Sequence, residues 1–262
     1  MKAHSFALSV GLSAVALALG CGDYGSGDVT APDPVPTPKT TVAQSGDVAA
    51  QVAAFGLAIG DVNNKGEPGL HAAGRREINW DGVPAQFTNT DAFPGNFFNQ
   101  NSTRGAVYSV SNGTGLRVSD DGFTDVNQTY ASEFVPFSTP RLFAPTGTNQ
   151  SEITFRIPGS DTAAAVRSFG AVMVDVDKAN TSRLRAYDKE NRLIADVPAP
   201  ARSAPTAFSL VGVTFDQPVI ARVVLTLGEA PIGAGIDDLS YGGLVDLVVL
   251  DDFLYSEPQP IQ

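Results

Sequence analysis

The chain has 262 residues, of which 43% are hydrophobic, and its formal net charge is −11. This length is sufficient for one sizeable hydrophobic core, and the acidic balance argues against a nucleic-acid partner, which would need clustered lysine and arginine. The single cysteine excludes an internal disulfide and leaves packing, hydrogen bonds or a metal ion to stabilise the fold.

The first 23 residues, MKAHSFALSVGLSAVALALGCGD, have the plan of a secretory signal. A lysine at position 2 is followed by an apolar stretch from Phe6 to Leu19 and then by small residues. The sequence LALGC resembles the lipobox of bacterial lipoproteins, in which the cysteine is acylated and becomes the first residue of the mature protein. We therefore expect a lipoprotein signal peptide over residues 1–20 and lipidation, including palmitate, at Cys21.

The alternative to this interpretation is an ordinary signal peptide with an incidental cysteine. Under the lipobox interpretation, Gly22 after the cysteine favours the outer membrane. The expected location is then the bacterial cell envelope, where the lipid would anchor the protein in the outer membrane or at the cell surface.

The signal is followed by a segment without apolar clustering and then by one amphipathic pattern. Residues 21–46 are rich in Gly, Pro, Ser and Thr, and we expect them to form an extended, solvated tether. Apolar residues then recur at helical spacing over residues 47–59, which predicts a short helix that Asp47 caps and that packs on the edge of the domain. The predicted folded domain covers residues 47–258.

From position 75 onward the pattern is almost entirely that of strands. Short runs rich in Val, Ile, Phe and Thr are separated by Gly, Pro, Asn and Asp, as in GAVYSV, EITFRI, SRLRAY and VIARVVLTL. About eleven such runs without alternating helices predict an all-β, antiparallel β-sandwich rather than a parallel α/β sheet.

The order of several motifs between residues 166 and 258 resembles that of a known class of β-sandwich proteins. The motifs SFGAVMVDVD, LRAYDKENRLI, GAGIDDLSYGG and VVLDDFLYSEP occur in this order. The segment is similar to the jelly-roll sandwiches of exported bacterial proteins, which include galactose-binding-like and carbohydrate-binding-module-like domains of uncharacterised function. The resemblance implies a jelly-roll topology, a binding or structural role, and in many members a calcium ion that braces the sandwich; it implies no reaction.

Adjacent carboxylates occur inside apolar runs that should be buried, and an uncompensated buried charge is unfavourable. Calcium binds six to eight oxygen ligands and would compensate such charges. The alternative is that these aspartates end strands and accept hydrogen bonds from backbone N–H groups. Because neighbouring residues in a strand face opposite ways, we expect only one member of each pair to reach a given cation. The candidate ligands of a structural calcium ion are Asp175, Asp177, Asp237, Asp238, Asp251 and Asp252.

The segment INWDGVPAQFTNTDAFPGNFFNQNSTRG combines aromatic residues with planar polar groups. Sugar sites pair an aromatic face with amide, carboxylate and guanidinium groups. The sequence thus suggests that Asn79, Trp80, Asp81 and Arg104 contact a carbohydrate or another cell-surface ligand. The alternative is that Trp80 and the phenylalanines form the core while the polar residues form turns.

The sequence gives little support for an enzyme. After export the chain would retain one histidine, His71, and no cysteine other than Cys21, which leaves zinc clusters and Cys–His or Ser–His–Asp sites unsupported. We therefore expect a lipid-anchored binding module without catalysis. The alternatives are a purely structural surface lipoprotein and a glycoside hydrolase with two facing carboxylates.

Overall fold

The computed structural model describes residues 33–261, and the predicted signal peptide and Cys21 lie outside this range. Fourteen strands of the described residues form two seven-stranded sheets that pack face to face. In chain order the strands are β1 (Thr40–Gly46), β2 (Arg75–Ile78), β3 (Ala106–Ser109), β4 (Gly115–Ser119), β5 (Leu142–Thr146), β6 (Gln150–Arg156), β7 (Ala163–Ala165), β8 (Ser168–Val174), β9 (Arg183–Tyr187), β10 (Leu193–Pro198), β11 (Phe208–Thr214), β12 (Arg222–Thr226), β13 (Val249–Ser256) and β14 (Gln259–Pro260).

The strand order confirms the predicted all-β sandwich. Sheet A has the order β1-β11-β8-β13-β5-β4, and β2 pairs with β13 outside this path. Sheet B has the order β10-β9-β12-β6-β7-β14, and β3 pairs with β6. From β8 to β13 the chain passes repeatedly between the two sheets and the strands pair antiparallel, which is jelly-roll connectivity.

The main core lies between the two sheets and follows the alternation of the strands. In β9, Leu184 and Ala186 are fully buried, whereas the alternating residues Arg183, Arg185 and Tyr187 are half-buried. Every residue of β8 is buried, because one face of this strand packs into the main core and the other lies under a helix. A continuous apolar run such as SFGAVMV is typical of a strand that is covered on both faces.

The covering helix is α1 (Ala49–Ile59), which lies within the range predicted from the sequence. Its buried residues include Val52, Phe55 and Ile59. The helix packs on the outer face of sheet A and not on its edge, because Phe55 lies over two paired glycines, Gly170 and Gly212.

The N-cap residue of α1 is Val48, although the carboxylate of Asp47 accepts a hydrogen bond from the N–H of Ala49 at 3.3 Å. The other described helices are the short α2 (Phe97–Gln100) and two 3₁₀ turns at Ala85–Phe87 and Gln128–Ser132.

The predicted tether is shorter than the sequence suggested, because its last residues form β1. Residues 40–46 pair in register with residues 208–214 of β11. The backbone hydrogen bonds of this pairing cover an edge of β11 that would otherwise be open. Val42 also packs against the helix cluster. The consecutive residues Thr40, Thr41 and Val42 are β-branched and were the local signal for this strand.

None of the helices within residues 33–261 is long and apolar enough to cross a membrane.

We expect Gly170→Ala to lower the free energy of unfolding by about 1–3 kcal/mol. A Cβ atom on Gly170 would lie 2.6 Å from a ring carbon of Phe55. Urea denaturation, followed through the fluorescence of the only tryptophan, measures this change. Gly82→Ala is the matched control, because a Cβ there would meet no atom within 4 Å. If Gly170→Ala lowers the free energy of unfolding less in the Phe55→Leu background, the effect comes from this contact. A Gly170→Ala variant that is as stable as wild type would contradict the prediction.

Candidate functional site

Trp80 is a core residue, which corrects the prediction that its ring contacts a ligand. The residue is 1% exposed, and its ring stacks in parallel on Phe143 with a centroid distance of 4.1 Å. Its indole Nε1–H donates a 2.8 Å hydrogen bond to the backbone carbonyl of Asp251. The ring also contacts four further aromatic side chains, Phe93, Phe98, Tyr108 and Phe253. A side chain enclosed in this way presents no face to a sugar.

The other three predicted ligand residues are engaged mainly in local contacts. Asn79 is exposed, and its amide donates to the carboxylate of Asp81 at 2.8 Å. Asp81 also accepts a hydrogen bond from the backbone N–H of Arg141. The guanidinium of Arg104 donates to the carbonyl of Glu77 at 2.9 Å. Ligand contact by Asn79, Asp81 and Arg104 stays a prediction, now without the aromatic platform on which it was based.

Asp251 and Asp252 lie together at a bulge in β13. The pairing with β8 shifts register between Leu250 and Phe253, so that β13 holds one residue more than its partner. Both carboxylates contact the hydroxyl of Ser138, at 2.8 and 2.7 Å, and Asp251 also accepts hydrogen bonds from the N–H groups of Phe137 and Ser138. The expectation that only one member of this pair reaches a given site is wrong, because the bulge interrupts the alternation of a regular strand.

This arrangement favours a proton on the pair. A serine hydroxyl has one hydrogen, so a full hydrogen bond to each of the two carboxylates needs a carboxyl that donates. Burial, together with the neighbouring Asp252 carboxylate, raises the pKa of Asp251 to about 8. Burial likewise raises the pKa of Asp252. Asp251 and Asp252 are not among the groups of neighbouring carboxylates described next, so calcium binding by these two residues stays a prediction.

A second set of acids forms a compact cluster, and three of its members were predicted. One carboxylate oxygen from each of Glu133, Asp175 and Asp238 lies within 4.8 Å of the others, and the same holds for Asp177, Asp238 and Asp246. We call these five residues the acidic cluster. Glu133 and Asp246 were not predicted as metal ligands from the sequence, because each is a single acid that only the fold brings to the others.

Asp237 does not join the acidic cluster in either group of three. It is exposed, and its carboxylate accepts hydrogen bonds from Asn127 and Thr129. The adjacent Asp238 is fully buried. The two residues therefore differ in exposure, although neither lies in one of the strands from which opposite orientations were expected.

The pKa values of two members of the acidic cluster are raised. Burial, with the adjacent negative charge of Asp238, raises the pKa of Asp177 to about 7 even though Arg202 contacts it at 2.6 Å. Burial also raises the pKa of Asp246, although that carboxylate accepts hydrogen bonds from Thr181 and from the N–H groups of Asp177 and Lys178.

A buried ion pair joins Arg76 of β2 to Glu257, the residue that follows β13. The guanidinium of Arg76 is fully buried and makes two 2.6 Å hydrogen bonds to the carboxylate of Glu257. Its remaining Nη1 group donates to the carbonyls of Lys65, Glu67 and Thr103. Since each charged atom has a partner, this pair is structural and offers no binding site.

A polar groove lies on the outward face of sheet B. Its cavity measures about 250 Å³, and its walls come from the adjacent strands β9, β12 and β6. The Arg222 guanidinium lies 4.0 Å from the ring centroid of Tyr187 and pairs with Glu152 at 3.0 Å. Gln150 and Arg185 complete a set that contains aromatic, guanidinium, carboxylate and amide groups.

A larger cavity of about 510 Å³ lies beside β14, but none of the aromatic side chains within residues 33–261 lines it. Its charged lining residues are Arg167, which donates to the carbonyl of Ile59, and Glu257, which is held by Arg76. The polar groove combines charged groups with the ring of Tyr187 and is therefore the better candidate for ligand contact.

Comparisons with known proteins give no family assignment. No protein-family model matches the sequence, and no curated protein matches it. A solved structure of a family 29 carbohydrate-binding module is similar over 58% of this chain and 92% of its own, with 9% identity and a TM-score of 0.24. The enzymatically active domain of tailspike protein 4 from bacteriophage CBA120 is similar over 68% of this chain and 22% of its own, with 11% identity and a TM-score of 0.24. Similarities at this TM-score carry no argument about ligand or activity.

We expect the free energy of unfolding to fall as the pH rises from about 5 to 8. The native state retains the proton of Asp251 up to about pH 8, whereas an unfolded aspartate loses it near pH 4. The native state thus binds more protons in this window, and each such group lowers stability by up to about 1.4 kcal/mol per pH unit. Urea denaturation of wild type and Asp251→Asn at several pH values measures the slope.

The Asp251→Asn slope should be shallower, because an asparagine imitates the protonated acid. Asp216→Asn, which removes a carboxylate from an exposed pair with Lys39, is the control. Equal slopes for wild type and Asp251→Asn would contradict the shared proton.

Proposed function

We propose that this chain is an exported, lipid-anchored module that binds carbohydrate or a similar hydroxyl-rich ligand at the surface of a bacterial cell, without catalysis. The observation that carries this proposal is the composition of the polar groove. Adjacent strands bring together there the side chains of Tyr187, Arg222, Glu152 and Gln150. Such groups orient a ligand that carries many hydroxyls.

The groove is suited to recognition because its side chains are held in place. Tyr187 and Arg222 are directly opposite each other on paired strands, and Glu152 lies on the next strand. The ion pair and the contact of the guanidinium with the ring restrict the rotamers of these residues before a ligand binds. Pre-organisation of this kind reduces the entropy lost on binding.

The anchor in this proposal is the lipid on Cys21. Each buried CH₂ group contributes about 0.8 kcal/mol to membrane binding, so more than one acyl chain holds a protein at a bilayer without a spanning helix.

A second candidate function is that of a purely structural surface lipoprotein. It is favoured by the burial of Trp80, which removes the aromatic platform that the sequence suggested. The two functions differ in whether the polar groove has a ligand.

We expect wild-type protein to retain specific oligosaccharides on a glycan array, and Tyr187→Ala to weaken that binding by about tenfold. The substitution removes the ring and releases the guanidinium of Arg222 from its position. Tyr241→Ala is the matched control, because this tyrosine is 53% exposed and lies outside the groove. If no glycan binds wild type, the structural candidate is favoured; if Tyr187→Ala binds as wild type does, the groove is not the site.

We expect Cys21→Ser to release the protein from the membrane fraction and to abolish incorporation of radiolabelled palmitate. Cell fractionation followed by immunoblotting measures the first effect. Ser26→Ala, a substitution nearby in the same polar segment, should leave both unchanged. Continued acylation of Cys21→Ser would refute the lipobox interpretation.

A further inference from the structure

Arg222, one of the arginines that line the polar groove, is fully engaged by other side chains. Its guanidinium donates to the carboxylate of Glu152 at 3.0 Å and to the side-chain oxygen of Asn191. It also lies 4.0 Å from the ring centroid of Tyr187. These contacts use both Nη groups of Arg222, so its main role is to position the ring and the carboxylate beside it.

Arg185, which also lines the groove, is held at one end and free at the other. Its Nε donates to the carboxylate of Asp196 at 3.3 Å, and the same carboxylate accepts from Nε of Arg183 at 2.7 Å. Within residues 33–261, neither Nη1 nor Nη2 of Arg185 has a hydrogen-bond partner. The side chain is 34% exposed. Its two Nη groups are therefore accessible to a ligand in the groove.

The free end of the Arg185 guanidinium is a planar fork of two donors. Such a fork matches the two oxygens of a carboxylate, and the resulting bidentate pair is stronger than hydrogen bonds between neutral groups. A single sugar hydroxyl offers one oxygen and fills only part of the fork. Arg185 is therefore better suited to a ligand carboxylate than to a ligand hydroxyl.

The charges around the groove also favour an anion. Three arginines are matched there by only two carboxylates, which leaves one positive charge in excess; they are Arg183, Arg185 and Arg222, with Asp196 and Glu152. The turn between β9 and β10, DKENR, contains as many acids as cations and does not change this excess. The whole chain has a formal net charge of −11. A positive groove on an acidic protein attracts anionic groups to that place and not to the rest of the surface.

Uncharged polar groups beside Arg185 suit the remainder of a sugar ring. Gln150, Ser111 and Tyr187 line the same groove and offer one amide and two hydroxyls. Amides and hydroxyls both donate and accept, as the hydroxyls of a sugar do. A uronic acid carries a carboxylate and several hydroxyls on one ring, so it has a partner for both kinds of group in this lining.

We propose that the polar groove selects acidic oligosaccharides, and that the carboxylate of a uronic acid unit binds Nη1 and Nη2 of Arg185. This inference rests on the proposed function, because it assigns the class of sugar to the same groove. It makes Arg185 the residue that distinguishes acidic from neutral sugars, whereas Tyr187 and Arg222 shape the groove for both.

The test compares ligands that differ only in charge. Oligomers of galacturonic, glucuronic and mannuronic acid, each beside its own methyl ester, are titrated into the purified full-length protein by isothermal calorimetry. The ester retains the hydroxyls and removes the negative charge. We expect at least one of the acids to bind about tenfold or more tightly than its ester. The difference should shrink as NaCl is raised from about 50 to about 500 mM, because salt screens exposed charges.

Substitutions of Arg185 should remove this preference. Arg185→Gln should weaken binding of the acid about tenfold or more and leave binding of the ester unchanged. Arg185→Lys retains the charge without the fork and should weaken binding of the acid by a smaller factor. Arg183→Gln is the matched control, because this arginine pairs with the same carboxylate of Asp196 but does not line the groove. It should bind the acid within about twofold of wild type.

Two results would overturn this inference and leave the proposed function in place. One is that wild type binds an ester or a neutral glycan as tightly as the acids, with that binding lost in Tyr187→Ala. The other is that Arg185→Gln, with the melting temperature of wild type, retains the preference for the acid. If wild type binds neither an oligouronate nor a neutral glycan, the proposed function fails and this inference fails with it.

Discussion

The free energy required to bury an ionised side chain is the constraint on which the architecture of this sandwich most depends. Aspartates and glutamates occur in the apolar segments around β8 and β13, where the core leaves no access to water. Each buried carboxylate must lose its charge, find donors or find a cation. Glu257 contacts the guanidinium of Arg76, and burial raises the pKa of Asp251. In the acidic cluster, Arg202 is joined by backbone N–H donors to Asp238 and Asp246. These three solutions fix different parts of the chain.

The bulge in β13 shows how backbone geometry and charge act together. A regular strand would place Asp251 and Asp252 on opposite faces, one of them inside the sandwich. The register shift puts both beside Ser138, and the carbonyl of Asp251 then accepts the N–H of Trp80. Trp80 has a φ of 67°, a left-handed conformation that a bulky residue adopts only when its surroundings determine it. Packing of five aromatic rings around the indole provides those surroundings.

Much of the fold could be predicted from the sequence, but the acidic cluster could be predicted only in part. Strands and their burial could be predicted from local sequence pattern. Apolar residues alternate with other residues in SRLRAY and VIARVVLTL, and SFGAVMV is a continuous apolar run. The convergence of Asp175, Asp177 and Asp238 was suggested by apolar runs that end in acids. Glu133 and Asp246 had no such signal, and neither had the pairing of Arg76 with Glu257, which are separated by 181 positions. Contacts of this kind depend on how loops cross the ends of strands, and local pattern does not encode that.

The acidic cluster and the polar groove lie at opposite ends of one strand, which separates their roles. Thr181 contacts Asp246 of the cluster just before β9 begins, whereas Tyr187 ends that strand in the groove. A strand of five residues extends roughly 17 Å, so a ligand in the groove would not touch the carboxylates of the cluster. Antiparallel pairing on both sides of β9 fixes the register that sets Tyr187 opposite Arg222. The groove therefore depends on strand pairing and not on the carboxylates at the far end of β9.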